Sequence, residues 1–389
     1  GVGAHLRMRL MGVQLVEGRH TGLPLLVPVR AKWHTDSTFH KGVRMDEMEL
    51  ATAEDCRPLY ELMARIKQLA PWEYLEEGDI FGVIDPDTGE PNFVSIMGMA
   101  GEHYAIALYQ GVRGLYSFLR VEEAGPDINI EAVLDLPHIQ ASFEDREMVE
   151  KRDREHMKAL GLKFRGRNAW PIFRSHQPGY APWHIEKAEA RTLVYALEQL
   201  LDVVPRLVNT DEDLLMPGDD DEFLVRVSEQ TTGGPVWRDE TMRFVPPPPY
   251  EMTIRVDTEA LDKVRQLPIG PRVVEIDCFR TLSIVAPPGG RPFFPYTLLM
   301  VGGKTGMPLG VEMLSPIPTP EAMWSEVGAT VLRMLIAVGD RPREFHVRHN
   351  LLFGILSMLS EQMGIKVKHT RALDKLDLVA NSLMAFLDR

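Results

Sequence analysis

Cysteine is scarce in this sequence: 389 residues contain only two, Cys56 and Cys278. Two cysteines cannot complete a four-cysteine zinc site, and neither of them belongs to a CxxC redox pair. A low cysteine content of this kind is typical of proteins in a reducing compartment. We therefore predict two buried free thiols and a cytoplasmic protein.

Long apolar runs and the common catalytic signatures are also missing. No stretch reaches the roughly 18 uncharged apolar residues that a membrane-spanning helix needs, so we predict no membrane contact. The zinc-peptidase motif, the nucleophile elbow, the phosphate loop and the dinucleotide fingerprint are absent, which argues against the enzymes that rely on them. There are 43 basic and 56 acidic side chains, and the formal net charge of −13 argues against nucleic acid as a partner.

The length and the proline pattern predict two domains. A chain of 389 residues is long enough for two or three. Residues 246–249 are four consecutive prolines, which form a stiff extended spacer. We therefore expect a mixed α/β domain at residues 45–245, a proline linker at 246–250 and a second domain at 251–389.

Residues 1–44 differ from the rest of the chain. They carry seven basic and two acidic side chains and show no sustained helical period. We interpret them as a basic extension ahead of a natural start near Met45. Because four of the twelve histidines fall here, a histidine-rich metal-binding arm is the alternative.

Hydrophobic spacing predicts the main elements of the first domain. Thr52 is a candidate N-cap for a helix at 51–70, and Pro205 should block a helix at 185–203 from continuing. Between these helices the pattern predicts three strands and a charged helix, at 79–84, 93–99, 104–110 and 144–160.

The second domain has a recognisable order of elements. A strand and a helical turn at 251–256 and 260–265 precede a series that runs strand, strand, strand, helix, strand, helix, strand, helix. The members of this series are 273–279, 295–301, 308–314, 319–338, 343–347, 351–363, 365–369 and 372–388. Asp277 lies near the end of the first strand of the series.

That order resembles the ribonuclease-H-like fold of integrases and transposases, over residues 273–388. The resemblance implies a carboxylate cluster that holds two metal ions, with Asp277 as the first acid and Asp374 or Asp377 as the third. The second acid is missing, because Arg348 stands after the fourth strand. Since the fold makes the first and fourth strands parallel neighbours, we predict a bidentate ion pair between Arg348 and Asp277 that neutralises the metal site.

Residues 48–389 as a whole resemble a bacterial family built of two adjacent domains of unknown function. The segments that carry this resemblance include PWEYLEEGDIFGVIDPDTGE, SFEDRE, GLKFRGRNAWPIFRSHQPGYAPW and RPFFPYTLLMV. The resemblance implies no activity.

Two places in the chain offer candidate catalytic residues. Glu102 and His103 place a carboxylate beside an imidazole, a combination that can activate water. Because adjacent strand residues point to opposite faces, a structural hydrogen-bonded pair is the alternative. Asp277 is the candidate in the second domain, and a polar residue at a strand end is its alternative.

Three groups of residues are candidates for a divalent cation, either calcium or zinc. Asp85 and Asp87 begin like a calcium loop, although Asp, Pro and Gly also favour a plain hairpin turn. The acidic stretch 211–222 is either a calcium site or a solvated loop. The third group lies at one sheet edge of the second domain and consists of His346, His349, His369, Asp374 and Asp277.

Residues 163–176 interleave four basic side chains with aromatic ones and contain no acid. Such a segment suits a phosphate or a stacked base. The candidate substrate-binding residues are Arg165, Arg167, Trp170 and Arg174. The alternative is that these arginines pair with the acidic surface of the protein itself.

Two classes of function remain open from the sequence. The first is a metal-assisted hydrolase that acts on a small ester, lactone or phosphoester, with its chemistry around Glu102 and His103. The second is a non-catalytic binding protein that contains a degenerate ribonuclease-H-like domain.

Overall fold

The structure is a computed structural model that describes residues 5–9, 49–125, 133–208, 215, 221–232, 234–248 and 251–387. The chain forms two compact units, and both are mixed α/β as the sequence predicts. The first unit comprises residues 45–178 and 182–248, and the second comprises residues 249–389 with 1–44 and 179–181. Most of the acidic stretch 211–222 lies outside the described residues, as does most of 1–44.

The first strand in the chain, β1 (His5–Arg9), belongs to the second unit. The elements of the first unit come after it in the sequence. In chain order they are α1 (Ala53–Leu69), β2 (Phe81–Ile84), β3 (Pro91–Met97), β4 (Tyr104–Gln110), α2 (Gly111–Ala124), β5 (His138–Glu144), α3 (Lys151–Ala159), β6 (Trp170–His176), β7 (Trp183–His184), α4 (Lys187–Val208), β8 (Glu222–Thr231) and β9 (Gly234–Arg243).

One eight-stranded sheet organises the first unit, in the order β7-β6-β5-β4-β3-β2-β8-β9. All neighbours are antiparallel except β2 and β8, which are parallel. Alternation along β4 sends Ile106 and Leu108 into the core with α1 and α4, and Ala107 and Tyr109 into the core with α2. Helices therefore cover both faces of this sheet.

Three predictions for the first unit needed correction. The charged helix expected at 144–160 is shorter, because Glu144 ends β5, and the five strands β5 to β9 were not predicted. Pro205 does not end the second long helix, which continues to Val208. The apolar face of α4 continues through Val203 and Val204, which are fully buried, and this burial outweighs the local cost of the proline.

The second unit contains every element predicted for it. After β1, these are β10 (Glu251–Arg255), α5 (Thr258–Gln266), β11 (Val273–Arg280), β12 (Tyr296–Gly302), β13 (Pro308–Leu314), α6 (Pro320–Val338), β14 (Glu344–Val347), α7 (Asn350–Met363), β15 (Lys366–His369) and α8 (Asp374–Leu387). The strand β1 was not predicted. It pairs antiparallel with β10, and such a long-range pairing leaves little signal in the local sequence.

A five-stranded sheet in the order β13-β12-β11-β14-β15 organises the second unit. The central strand β11 is antiparallel to β12 and parallel to β14, and the parallel pairing was predicted. Side chains alternate between the two faces of the sheet along β11. Ile276 and Cys278 lie in the core with α6 and α7, and Phe279 lies on the side covered by α8. Asp277 therefore points to the α8 side. The resemblance of this unit to the ribonuclease-H-like fold stays a prediction.

Both cysteines are free and buried, as predicted. Burial raises the pKa of Cys56 to about 12. Among the residues described, no helix combines the length and the apolar character needed to cross a membrane.

Candidate functional site

The predicted ion pair between Arg348 and Asp277 is present in the second unit. Arg348 donates through Nη2 and Nε to the same oxygen of Asp277, at 2.8 Å and 3.1 Å, so the contact is double but not a fork on both oxygens. Its third nitrogen, Nη1, lies 3.0 Å from Asp377. Burial raises the pKa of Asp277, and Arg348 and His349 act in the opposite direction. The guanidinium thus stands between the two acids that a ribonuclease-H-like site would use for metal.

The remaining metal candidates of the second unit have separate surroundings. His349 caps α7 and stacks on Trp324, with ring centroids 4.7 Å apart. His346 pairs with Glu344 of its own strand, and His369 contacts the backbone oxygen of Arg348. Asp374 begins α8. The N–H groups of the next two residues of this helix donate to the carboxylate of Glu275, which was not among the predicted site residues. In the described chain these side chains do not form a set with convergent ligand atoms.

Asp85 and Asp87 lie in the turn between β2 and β3. Asp85 is buried, and its carboxylate accepts the N–H groups of Asp87 and Thr88 and the hydroxyl of Thr192. Asp87 pairs with Arg191 at 3.1 Å. Both carboxylates hold the turn and anchor it to α4, which corresponds to the hairpin-turn alternative.

Glu102 and His103 lie exposed just before β4. The imidazole of His103 lies 3.1 Å from Gln140 and 3.7 Å from Glu144, both on β5. The carboxylate that accompanies His103 is therefore Glu144 and not the adjacent Glu102.

Arg174 is part of a buried cluster that the sequence did not predict. Its guanidinium donates to both oxygens of Asp153, at 3.0 Å and 2.6 Å, and lies 3.5 Å from Glu150. His184 lies 3.3 Å from Glu150 and 3.8 Å from Asp153. In the described chain, Glu150, Asp153 and His184 are the one set of three groups whose ligand atoms all lie within 4.8 Å of one another. Arg174 already supplies the positive charge of this cluster, so it is not available to a substrate as predicted.

His184 is expected to make the first unit sensitive to moderate acid. Burial, aided by Arg174, lowers the pKa of His184 to about 4, whereas an unfolded histidine titrates near 6.5. The unfolded chain therefore takes up the proton first, and stability falls as the pH drops from about 6.5 to about 4. We expect His184→Gln to remove up to about 3 kcal/mol of that pH-dependent loss. Urea unfolding of the wild type and of His184→Gln between pH 7 and pH 4 measures the free energy of unfolding at each pH. The same dependence of this free energy on pH in both proteins would contradict the prediction.

The other predicted binding residues lie on or beside the loop before β6. Arg165 and Arg167 are exposed, and Arg167 lies 3.8 Å from Asp145. Trp170 is half-buried against Phe164, with ring centroids 6.0 Å apart. Of these residues, Arg167 opens onto the cavity described next.

A cavity of about 320 Å³ lies between the end of α1 and this loop. We name it the Lys67 pocket, and it is lined by Lys67, Ala70, Trp72, Glu73, Tyr104, Phe143, Arg167 and Asn168. Trp72 forms its aromatic wall with Tyr104 and Phe143, at ring-centroid distances of 4.7 Å and 5.8 Å. Its volume is at the lower end of the range for small-molecule sites.

The two cations of the Lys67 pocket are held differently, Lys67 by the backbone and an aromatic ring and Arg167 by Asp145, 3.8 Å away. The ammonium of Lys67 donates to the backbone oxygen of Asn168 at 2.8 Å and lies 5.2 Å from the ring centre of Phe143. Partial burial lowers the pKa of Lys67. An ammonium has three donors, so this bond leaves two for a ligand. With Arg167, the pocket has two cations against one acid, Glu73.

The backbone of the Lys67 pocket is strained at two points. Ala70 and Asn168 have φ angles of +48° and +45°, and in the described chain they are the two residues other than glycine with positive φ. Such conformations cost free energy for residues with a Cβ atom and often occur at functional sites. Asn168 is held there because its N–H donates to Asp145 at 2.8 Å. The contact between Lys67 and Asn168 has no local sequence signal, since the two residues are 101 positions apart.

Comparison with protein families assigns the two halves of the chain. Residues 57–226 match a domain of unknown function (DUF7309), and residues 260–384 match another (DUF6930). The predicted resemblance to two adjacent domains of unknown function is confirmed. No curated protein matches the chain. The Lys67 pocket and the Arg174 cluster both lie within the first of these domains.

Proposed function

We propose that this chain, which carries the DUF7309 and DUF6930 domains side by side, is a non-catalytic binding protein that holds a small planar organic anion in its first domain. The single observation that carries the proposal is the Lys67 pocket, where two cations face an aromatic wall across a strained backbone. Strain of this kind persists only where the surrounding structure maintains it.

The shape and charge of the Lys67 pocket favour an anion with a flat apolar body. Trp72, Tyr104 and Phe143 offer ring surfaces for stacking or edge contacts. Lys67 and Arg167 offer charge-assisted hydrogen bonds to a carboxylate or similar group. Because Glu73 lies on the same rim, a multiply charged anion fits less well than a singly charged one.

The geometry supports a metal-assisted hydrolase less than it supports a binding protein. Each carboxylate cluster considered above already contains a guanidinium, Arg348 beside Asp277 and Arg174 beside Asp153. An arginine paired in this way competes directly with a metal ion for the carboxylate oxygens. Glu102 and His103 do not pair with each other, so the candidate base of the first domain lacks its predicted partner.

Binding of benzoate to the Lys67 pocket is the first test. We expect benzoate to bind and to be preferred about tenfold or more over benzamide, which has the same shape without the charge. Lys67→Met should weaken benzoate binding about tenfold, because a charge-assisted hydrogen bond is lost. Isothermal titration calorimetry measures both effects.

Arg65→Met is the matched control, since Arg65 lies on the same helix but does not line the pocket. It should leave the benzoate affinity unchanged. Equal binding of benzoate and benzamide, or no effect of Lys67→Met, would contradict the proposal. Turnover of simple ester, lactone or phosphodiester substrates that stops on chelation would support the hydrolase instead.

A further inference from the structure

A second cavity, separate from the Lys67 pocket, lies on the other side of the loop before β6. Its volume is about 310 Å³. We name it the Lys163 pocket, and it is lined by Arg154, Met157, Lys158, Gly161, Leu162, Lys163 and Trp170. Three of these side chains are cations and none is an acid. Trp170, Met157 and Leu162 give it an apolar side.

The cations of the Lys163 pocket have no carboxylate partner among the described residues. No acid lies within 4.0 Å of Arg154, Lys158 or Lys163 there, although the protein has 56 acidic side chains against 43 basic ones. Several arginines elsewhere in the first unit do pair closely, for example Arg206 with Asp239 at 2.6 Å. An acidic protein that leaves three neighbouring cations without acids has a place for an external anion.

Arg154 is oriented by the backbone for such a role. Its Nη1 donates to the backbone oxygen of Val149 at 2.5 Å. A guanidinium has five N–H donors in a rigid fork, so this bond leaves most of them for another acceptor. Lys158 lies at the C-terminal end of α3, where the helix dipole already favours a cation. Helix stabilisation accounts for Lys158, but it does not account for Arg154 or Lys163.

We propose that the Lys163 pocket binds a phosphate monoester that carries an aromatic body, of the nucleoside monophosphate class. Three cations match the double negative charge of the phosphate, and the indole of Trp170 offers a face for the base. The charge distinguishes this ligand from the singly charged anion of the Lys67 pocket. The proposal goes beyond that function and does not depend on it, because the two pockets share no lining residue.

Titration with AMP tests the Lys163 pocket. At low ionic strength we expect AMP to bind at least tenfold more tightly than either adenosine or inorganic phosphate, each of which lacks one half of the ligand. Lys163→Met and Arg154→Met should each weaken AMP binding about five- to tenfold. Lys151→Met is the matched control, because Lys151 lies on α3 outside the pocket, 3.8 Å from Glu155. It should leave the affinity unchanged.

Three outcomes would overturn the proposal: no binding of AMP up to about 5 mM, equal binding of AMP and adenosine, or wild-type affinity in Lys163→Met. A 5′-phosphorylated oligothymidylate that binds more than tenfold better than AMP would assign the surface to a nucleic-acid strand and also overturn it. Lys67→Met should not change AMP binding, so failure here and failure of the Lys67 pocket are distinguishable. Circular dichroism of each variant confirms that it is folded.

Discussion

Arg348→Met is expected to lower the free energy of unfolding by about 3 to 5 kcal/mol. The substitution leaves Asp277, which is 3% exposed, without the guanidinium that donates to it twice. A buried carboxylate that loses its paired guanidinium must either stay charged in an apolar site or take up a proton. Urea unfolding followed by circular dichroism measures the loss.

A double variant distinguishes the stability lost with the ion pair from the stability lost with other contacts of Arg348. Asp277→Asn combined with Arg348→Met removes the charge that was left behind, and we expect it to recover a large part of the loss. Arg255→Met is the matched control, because Arg255 forms an exposed pair with Glu326 at the same 2.8 Å distance. Its cost should stay below about 1 kcal/mol. Equal losses for Arg348→Met and Arg255→Met would contradict the role given to the buried pair.

Arg174→Met is expected both to destabilise the first unit by about 3 to 5 kcal/mol and to create a metal site. The pair of Arg174 with Asp153 is buried on both sides, and its fork engages both carboxylate oxygens. Once the guanidinium is gone, Glu150, Asp153 and His184 retain two oxygens and one imidazole nitrogen close together, a ligand set suited to zinc.

Thermal unfolding with and without zinc shows whether Arg174→Met has created a metal site. Zinc should raise the melting temperature of Arg174→Met and leave that of the wild type unchanged, since binding to the folded state alone is stabilising. Adding His184→Gln to Arg174→Met should abolish the zinc effect. If zinc stabilises the wild type equally, Arg174 does not compete with metal in the way we describe.

Apart from β1, the second unit was predictable because each of its elements carries its own local signal. Thr319 and Pro320 mark the start of α6 and Gly339 follows its end, so three residues fix a 19-residue helix. The pair of Arg348 and Asp277 followed from the resemblance to the ribonuclease-H-like fold, which implies that their strands are parallel neighbours, as they are in the structure. Where local signals and strand order suffice, the sequence analysis was accurate.

The candidate sites of the first unit were not predictable in the same way. Arg174 looked like part of a basic ligand-binding segment, but its partner Asp153 lies 21 residues earlier and points inward from α3. No sequence pattern singled out Lys67, and only the folded chain places it against Asn168. Contacts between distant residues depend on sheet order, which hydrophobic periodicity does not encode.

Among the described residues, the outer strand β9 is the longer of the two edge strands of the eight-stranded sheet. A ten-residue edge strand presents a row of backbone groups to which a strand from another molecule can add. On β9 that row is flanked by Arg238, which pairs with Glu229 and Glu240, and by Arg243, which lies 3.2 Å from Glu222 directly opposite on β8. An incoming strand would have to desolvate these charges or break their pairs. We therefore expect this ladder of ion pairs to disfavour the addition of a strand from another molecule at the β9 edge.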